Sequence, residues 1–338
     1  MGMSHQYILH FLISALKSFF AASDSRGHQP GTFLPPPDLR MAAFIDTLVS
    51  ICNIAVLPTF GLFYAAVLWI IVRCESSIAY FIIFVIGLLD LLHMTTSFLA
   101  GLINFFPGNF RDIFGQIGSC ARNGYLVAVP LLELLLALNR LTVVLRFRDS
   151  LVGRVVVKVL ILLCASVPIP ALFFLDVFDP NIQFSYHEST YRYKGPEYFE
   201  KPFIFSRVTV VSSTLLTCSV IILVVIAQKK CYGSKFQMST KEFRLLLQAL
   251  FQSLPLSFVI LGGAFLFKVI WLHGVFYVIW TLTSINLPSI HLMTLLGFNS
   301  VVRSEFLTSI GVKKESKLFV TTARKISVAT VSTRSFVQ

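Results

Sequence analysis

A few ionisable side chains stand inside long apolar runs, and any chemistry in this chain would reside there. Asp90 and His93 interrupt the run from Ile78 to Phe106. Glu133 and Arg140 lie within the run from Cys120 to Leu145, with Arg122 near its start. Arg207 opens a run from Phe203, and Asn286, Pro288 and His291 share the last one. Ionisable groups in such surroundings are costly and normally face a protein interior or an aqueous cavity. Asp90, Glu133 and Asn286 therefore form a candidate polar network. Two carboxyls brought close must share a proton or hold a cation, because like charges at short range do not both stay ionised unaided. The same three groups could equally make a satisfied polar core with no moving part, and both readings stay open.

The elements that position these residues are set by composition. The 338 residues are 56% hydrophobic and 13% charged, about half the charge of an ordinary soluble domain. The 33 Phe exclude a disordered chain, which would be poor in aromatics. A membrane helix needs about 20 apolar residues. Seven runs meet that length: 48–72, 78–106, 120–145, 155–178, 203–227, 245–267 and 269–298. The expected fold class is an all-α membrane protein, a bundle of seven transmembrane helices. At a rise of about 1.5 Å per residue, Asp90, Glu133 and Asn286 fall near the midplane of their spans. Pro288 should kink the last span, and His291 reads as a packing histidine.

Residues 1–44 read as an outer N-terminal tail with a weak signal-like segment at 8–22, and residues 23–40 as a flexible lead-in. The transmembrane domain covers 45–303, and 304–338 reads as a basic, Ser/Thr-rich tail. With the N-terminus outside, the inner segments hold 17 Lys and Arg against 8 in the outer ones. That asymmetry favours a cytoplasmic C-terminus. The net charge of +12 is thus expected at the inner membrane surface, with the lipid bilayer as partner. No exposed basic stripe suggests nucleic acid. The longest outer loop, 179–202, is rich in Tyr and mixed charge. Of six Cys, none forms a zinc spacing, and Cys52, Cys164 and Cys218 read as small buried hydrophobes. Cys74 and Cys231 lie at membrane edges and are candidate palmitoylation sites.

Seven spans carrying Gly87-Leu88-Leu89-Asp90 in the second, Leu138-Asn139-Arg140-Leu141-Thr142 in the third, and Pro288 with the later Asn299 and Arg303 resemble a G-protein-coupled receptor. Over residues 45–312 the pattern is similar to the nematode serpentine chemoreceptors of the Srg superfamily, comprising classes gamma, V, U, X and T. The resemblance implies a chemosensory receptor in the plasma membrane of sensory cells. It would bind a small molecule or peptide outside, shift a two-state bundle and activate a heterotrimeric G protein inside. By the same resemblance, Asp90 implies a sodium site, Arg140 a latch on the G-protein side and Pro288 the kink of the seventh helix. Asn139 replaces the acid usual before that arginine, and Leu287 separates Asn286 from Pro288. Cys120 stands at the position of the usual third-helix disulfide, but 179–202 holds no Cys, which leaves it free or intermolecular. Arg122, Tyr125, Arg207 and Tyr277 are the candidate ligand pocket.

The alternative is a proton- or cation-coupled transporter or channel using Asp90 and Glu133; the lack of an internal repeat weighs against it. An enzyme is not expected. There is no HExxH for zinc and no Gly-x-Gly-Asp before Asp90. No Lys stands mid-span in the seventh helix to hold a retinal Schiff base, so no cofactor is expected.

Overall fold

The computed structural model describes residues 37–74, 77–103, 109–145, 151–179, 182–187, 190–194, 196–232, 240–266 and 273–312. The bundle belongs to the second of two compact units, Ile45–Gln338. In lipid the backbone must satisfy its own hydrogen bonds, so the apolar runs become helices. They are α1 (Pro37–Cys74), α2 (Ile78–Ile103), α3 (Asn109–Val144), α4 (Leu151–Ser166), α5 (Pro168–Phe178), α6 (Glu197–Tyr232), α7 (Thr240–Leu261), α8 (His273–Phe298) and α9 (Ser300–Ser309). A π-helical turn, Gly262–Leu266, follows α7. Seven stretches are long and apolar enough to cross a membrane: Thr47–Arg73, Ile78–Ile103, Ile113–Val144, Val155–Phe178, Tyr198–Gln228, Leu246–Phe265 and Val278–Phe298. The chain is an integral membrane protein built on a seven-helix bundle.

The fourth span keeps its expected bounds but is two helices. Pro168 and Pro170 lack the N–H that a continuous helix would use, so α4 ends at Ser166 and α5 starts afresh. Val167 bridges them, donating to Leu163 O at 3.0 Å and accepting from Ala171 N at 3.0 Å. Several helices begin well before their apolar runs. The first covers Pro37–Arg40, which composition had assigned to a flexible lead-in, and α3 starts at Asn109. Polar turns at a helix end escape a search for apolar length. The signal-like segment 8–22 lies outside the described residues, as does the tail beyond 312.

One element departs from the all-helical expectation. Strands β1 (Gln183–His187) and β2 (Thr190–Lys194) pair antiparallel, with Phe184 opposite Tyr193, and lie against α3. This hairpin marks one end of the bundle, and α9 marks the other, the tail end. Ile182, just before the hairpin, packs with Cys120 of α3 and Leu172 of α5. At the tail end, Asn299 caps α9 by accepting from Val302 N at 3.2 Å. Tyr80 of α2 also donates to Asn299 Oδ1 at 3.3 Å. The helix stops at Gly311, whose φ of 74° is left-handed and suits only glycine comfortably. Residues 304–309, at the start of the basic, Ser/Thr-rich tail, continue this helix.

Burial ranks the helices. The central stretch of α2 is 61% buried, whereas that of the fourth span is 11% buried and faces lipid. The core joins Tyr64, Val67 and Ile71 of α1 with Ile82 and Met94 of α2, Leu132 of α3 and Leu292 of α8. Gly124 lets α3 and α5 touch backbone to backbone. A Cβ there would lie 2.9 Å from Ile169 Cα.

Candidate functional site

Asp90 is wholly buried in the middle of α2, and three donors converge on it. Tyr64 of α1 donates its hydroxyl to Oδ2. Tyr125 of α3 donates to Oδ1 at 2.7 Å. His291 of α8 places Nδ1 3.0 Å from Oδ2 and 3.2 Å from Oδ1. Four helices thus meet at one carboxyl. A buried carboxylate accepting this many hydrogen bonds is satisfied, and the ring nitrogen facing both oxygens is best assigned as an N–H donor.

The other face of His291 continues the chain. Its Nε2 lies 3.6 Å from Glu133 Oε1 of α3, both side chains being almost fully buried. Neither atom has a hydrogen-bond partner among the described residues. From α7, Ser253 lies against the Glu133 carboxyl and the Gln252 backbone against His291. Glu133 and Asp90 are therefore not direct neighbours. A histidine read as packing stands between them.

Toward the hairpin end, His93 of α2 stacks on Tyr125, with centroids 4.4 Å apart and planes at 17°. Its Nε2 is 3.0 Å from Ser284 O of α8. Arg122 of α3 donates to Ser284 Oγ at 2.8 Å. On another side of α3, Arg207 of α6 donates to Asn123 O at 2.9 Å and Asn123 Oδ1 at 3.0 Å. The same guanidinium stacks over Phe203, 3.9 Å from its ring centre. A polar column thus runs from Arg122 through Ser284, His93 and Tyr125 to Asp90, His291 and Glu133.

Several expectations change against this geometry. Asn286 does not join Asp90 and Glu133; its Nδ2 donates to Leu282 O of its own helix at 2.8 Å. Tyr125, expected in an outer pocket, is fully buried and bonded to Asp90. A sodium ion at Asp90 would have to displace the three donors that already occupy its oxygens. Among the described residues no group of three or more His, Cys, Asp or Glu could hold a metal. Arg122 and Arg207 both lie toward the hairpin end. The side chain of Tyr277 lies outside the described residues, although its backbone belongs to α8.

Arg140 is half-buried near the tail end of α3, and the neighbouring Asn139 carbonyl accepts from Thr142 Oγ1 at 2.8 Å. Pro288 is inside α8, which continues through it to Phe298. Cys120 is 1% exposed, so a thiol from another chain has no route to it. Cys218 is buried as expected, while Cys52 and Cys164 are half-buried. The side chains of Cys74 and Cys231 lie outside the described residues. Sequence reasoning missed Tyr64 and the bridging role of His291. Mid-span tyrosines were the available signal, because a buried phenol normally finds a hydrogen-bond partner. The chain matches no protein-family model, and no curated protein matches it.

Proposed function

We propose that the chain is a transmembrane signalling receptor of the G-protein-coupled, chemosensory kind. The hairpin end would face outside, the tail end the cytoplasm, and the site would be the plasma membrane of sensory cells. The polar column is the observation that carries this reading. It links Arg122 at the hairpin end, through Ser284, His93 and Tyr125, to a buried cluster that ties four helices together. A small molecule or peptide that moved Arg122 or the α3 backbone at Asn123 would strain the Tyr125–Asp90 bond. Such a ligand shifts a bundle only by its differential affinity for two states, and a shared hydrogen-bond cluster is where two states can differ. Arg140 would then act as the latch against a heterotrimeric G protein.

The test is a calcium response linked to G-protein activation in cells expressing the chain, scanned over small odorants and peptides. Arg140→Ala should reach the cell surface in wild-type amounts and give no response. A wild-type response from Arg140→Ala would remove the latch role.

A second reading, a proton- or cation-coupled transporter or channel, is favoured by one observation, the carboxyl–imidazole–carboxyl chain at mid-bundle. It expects substrate flux in vesicles that Asp90→Asn reduces.

A further inference from the structure

The hydrogen-bond geometry at mid-bundle bears on the proton count. As a carboxylate, Asp90 can accept from Tyr64, Tyr125 and His291 Nδ1 together. With Nδ1 carrying hydrogen, Nε2 of a neutral ring has a lone pair facing Glu133 Oε1 at 3.6 Å. Two atoms this buried face each other favourably only with hydrogen between them. Either Glu133 is protonated and His291 neutral, or Glu133 is ionised and His291 is imidazolium. Both arrangements hold one proton and leave the triad with a net charge of −1. Removing it leaves two buried carboxylates and a neutral ring, which a membrane interior penalises strongly.

We propose that His291 Nε2 and Glu133 Oε1 form a proton-binding site at the centre of the bundle, holding one shared proton at rest and taking up a second from water. In the resting exchange, the Glu133 O–H bond breaks, its electron pair stays on oxygen, and an N–H bond forms at Nε2. In the uptake step a hydronium ion supplies the second proton and leaves water behind. Glu133 becomes a neutral acid, His291 an imidazolium against the Asp90 carboxylate, and the triad becomes neutral.

The surroundings suit this role. Facing the site are Asp90 and His93 from α2, Tyr64 from α1, Tyr125 from α3, and Cys218 from α6, with the Arg122 guanidinium of α3 beyond His93. The α7 side presents the non-titratable Ser253 and Gln252. Gln252 Oε1 has no partner among the described residues, and neither has the side-chain amide of Gln248, one turn nearer the tail end. Both glutamines are buried, at 4% and 1% exposure. Buried polar atoms of this kind are ordinarily satisfied by internal water, which would carry the proton in from the tail end. The inference does not depend on what the bundle signals or transports.

The test is infrared spectroscopy of the purified full chain in lipid nanodiscs, titrated from about pH 8 to about pH 5, the window in which an imidazole changes charge. Solvent-exposed carboxyls remain ionised over that range, with ordinary values of about 4. The carbonyl stretch of a protonated carboxyl should grow as pH falls and be lost in Glu133→Gln. In His291→Gln it should persist but no longer change with pH, since Glu133 then has no base to share with. Should Glu133→Gln fail to elute as a folded species, Glu133→Asp should move the band to the aspartic-acid position. A band that is absent in the wild type, constant across the range, or unmoved by every Glu133 variant overturns the proposal.

Discussion

Asp90→Ala is expected to cost the bundle about 3–5 kcal/mol, read as a large drop in the unfolding midpoint of the purified chain in detergent. The size follows from what the substitution leaves behind. Tyr64 and Tyr125 each lose the acceptor for a buried hydroxyl, and His291 loses the anion at Nδ1. A buried donor left without a partner costs about 1–3 kcal/mol. Asp90→Asn keeps one acceptor oxygen and turns the other into a donor facing donors, so it should fall between wild type and alanine. The tyrosines provide an internal check. Tyr64→Phe and Tyr125→Phe each remove one hydroxyl donor and leave the Asp90 carboxyl in place, and each should cost about 1 kcal/mol in the wild-type background. In the Asp90→Ala background the same changes should be neutral or stabilising, because they delete an orphan. Additive losses in the double variants would mean that the hydroxyls are not satisfied by Asp90.

Gly124→Leu should be as damaging by a different route. Any side chain at 124 meets the Ile169 backbone, at 2.9 Å from Cα and 3.1 Å from N, and neither atom can rotate away. Overpacking of a tight contact costs about 1–3 kcal/mol where side chains can yield, and more where backbone must move. The expected outcome is loss of the monodisperse species on size-exclusion chromatography. The position also sits between Asn123 and Tyr125, so displacing α3 disturbs both the Arg207 contact and the Asp90 cluster. Gly297→Leu is the matched control. Its Cβ meets nothing within 4 Å, and it should fold as wild type. Equal behaviour of the two variants would remove the close approach of α3 and α5 as a determinant of the fold.

The seven spans were legible because apolar length is a one-dimensional property; it located most ends to within a few residues, but the third span starts at Ile113 rather than 120 and the seventh at Val278 rather than 269. The break at Val167 was signalled by Pro168 and Pro170 without being read as a helix boundary. The site was only half legible. Depth follows from residue counting, which put Asp90 and Glu133 near one level, and both lie against His291. Direction around the helix axis does not. Asn286 and His291 are five residues apart, which turns the side chain by about 140° at 3.6 residues per turn. The residue chosen by depth faces its own helix, and the one facing the carboxyls was read as packing. The hairpin was hidden for another reason. The alternation of Phe184 with Tyr186, and of Tyr191 with Tyr193, is short and lies within a polar, charged loop.

The seat of Cys120 has a consequence for how the protein matures. The Cys120 thiol is free and packs against Leu172 and Ile182, so apolar packing fastens the chain segment leading into the hairpin to α3. Reductant should therefore leave the hairpin docked, and heat should release it. Chain made in a reducing cell-free system with lipid should therefore form the same contact of Cys120 with Leu172 and Ile182.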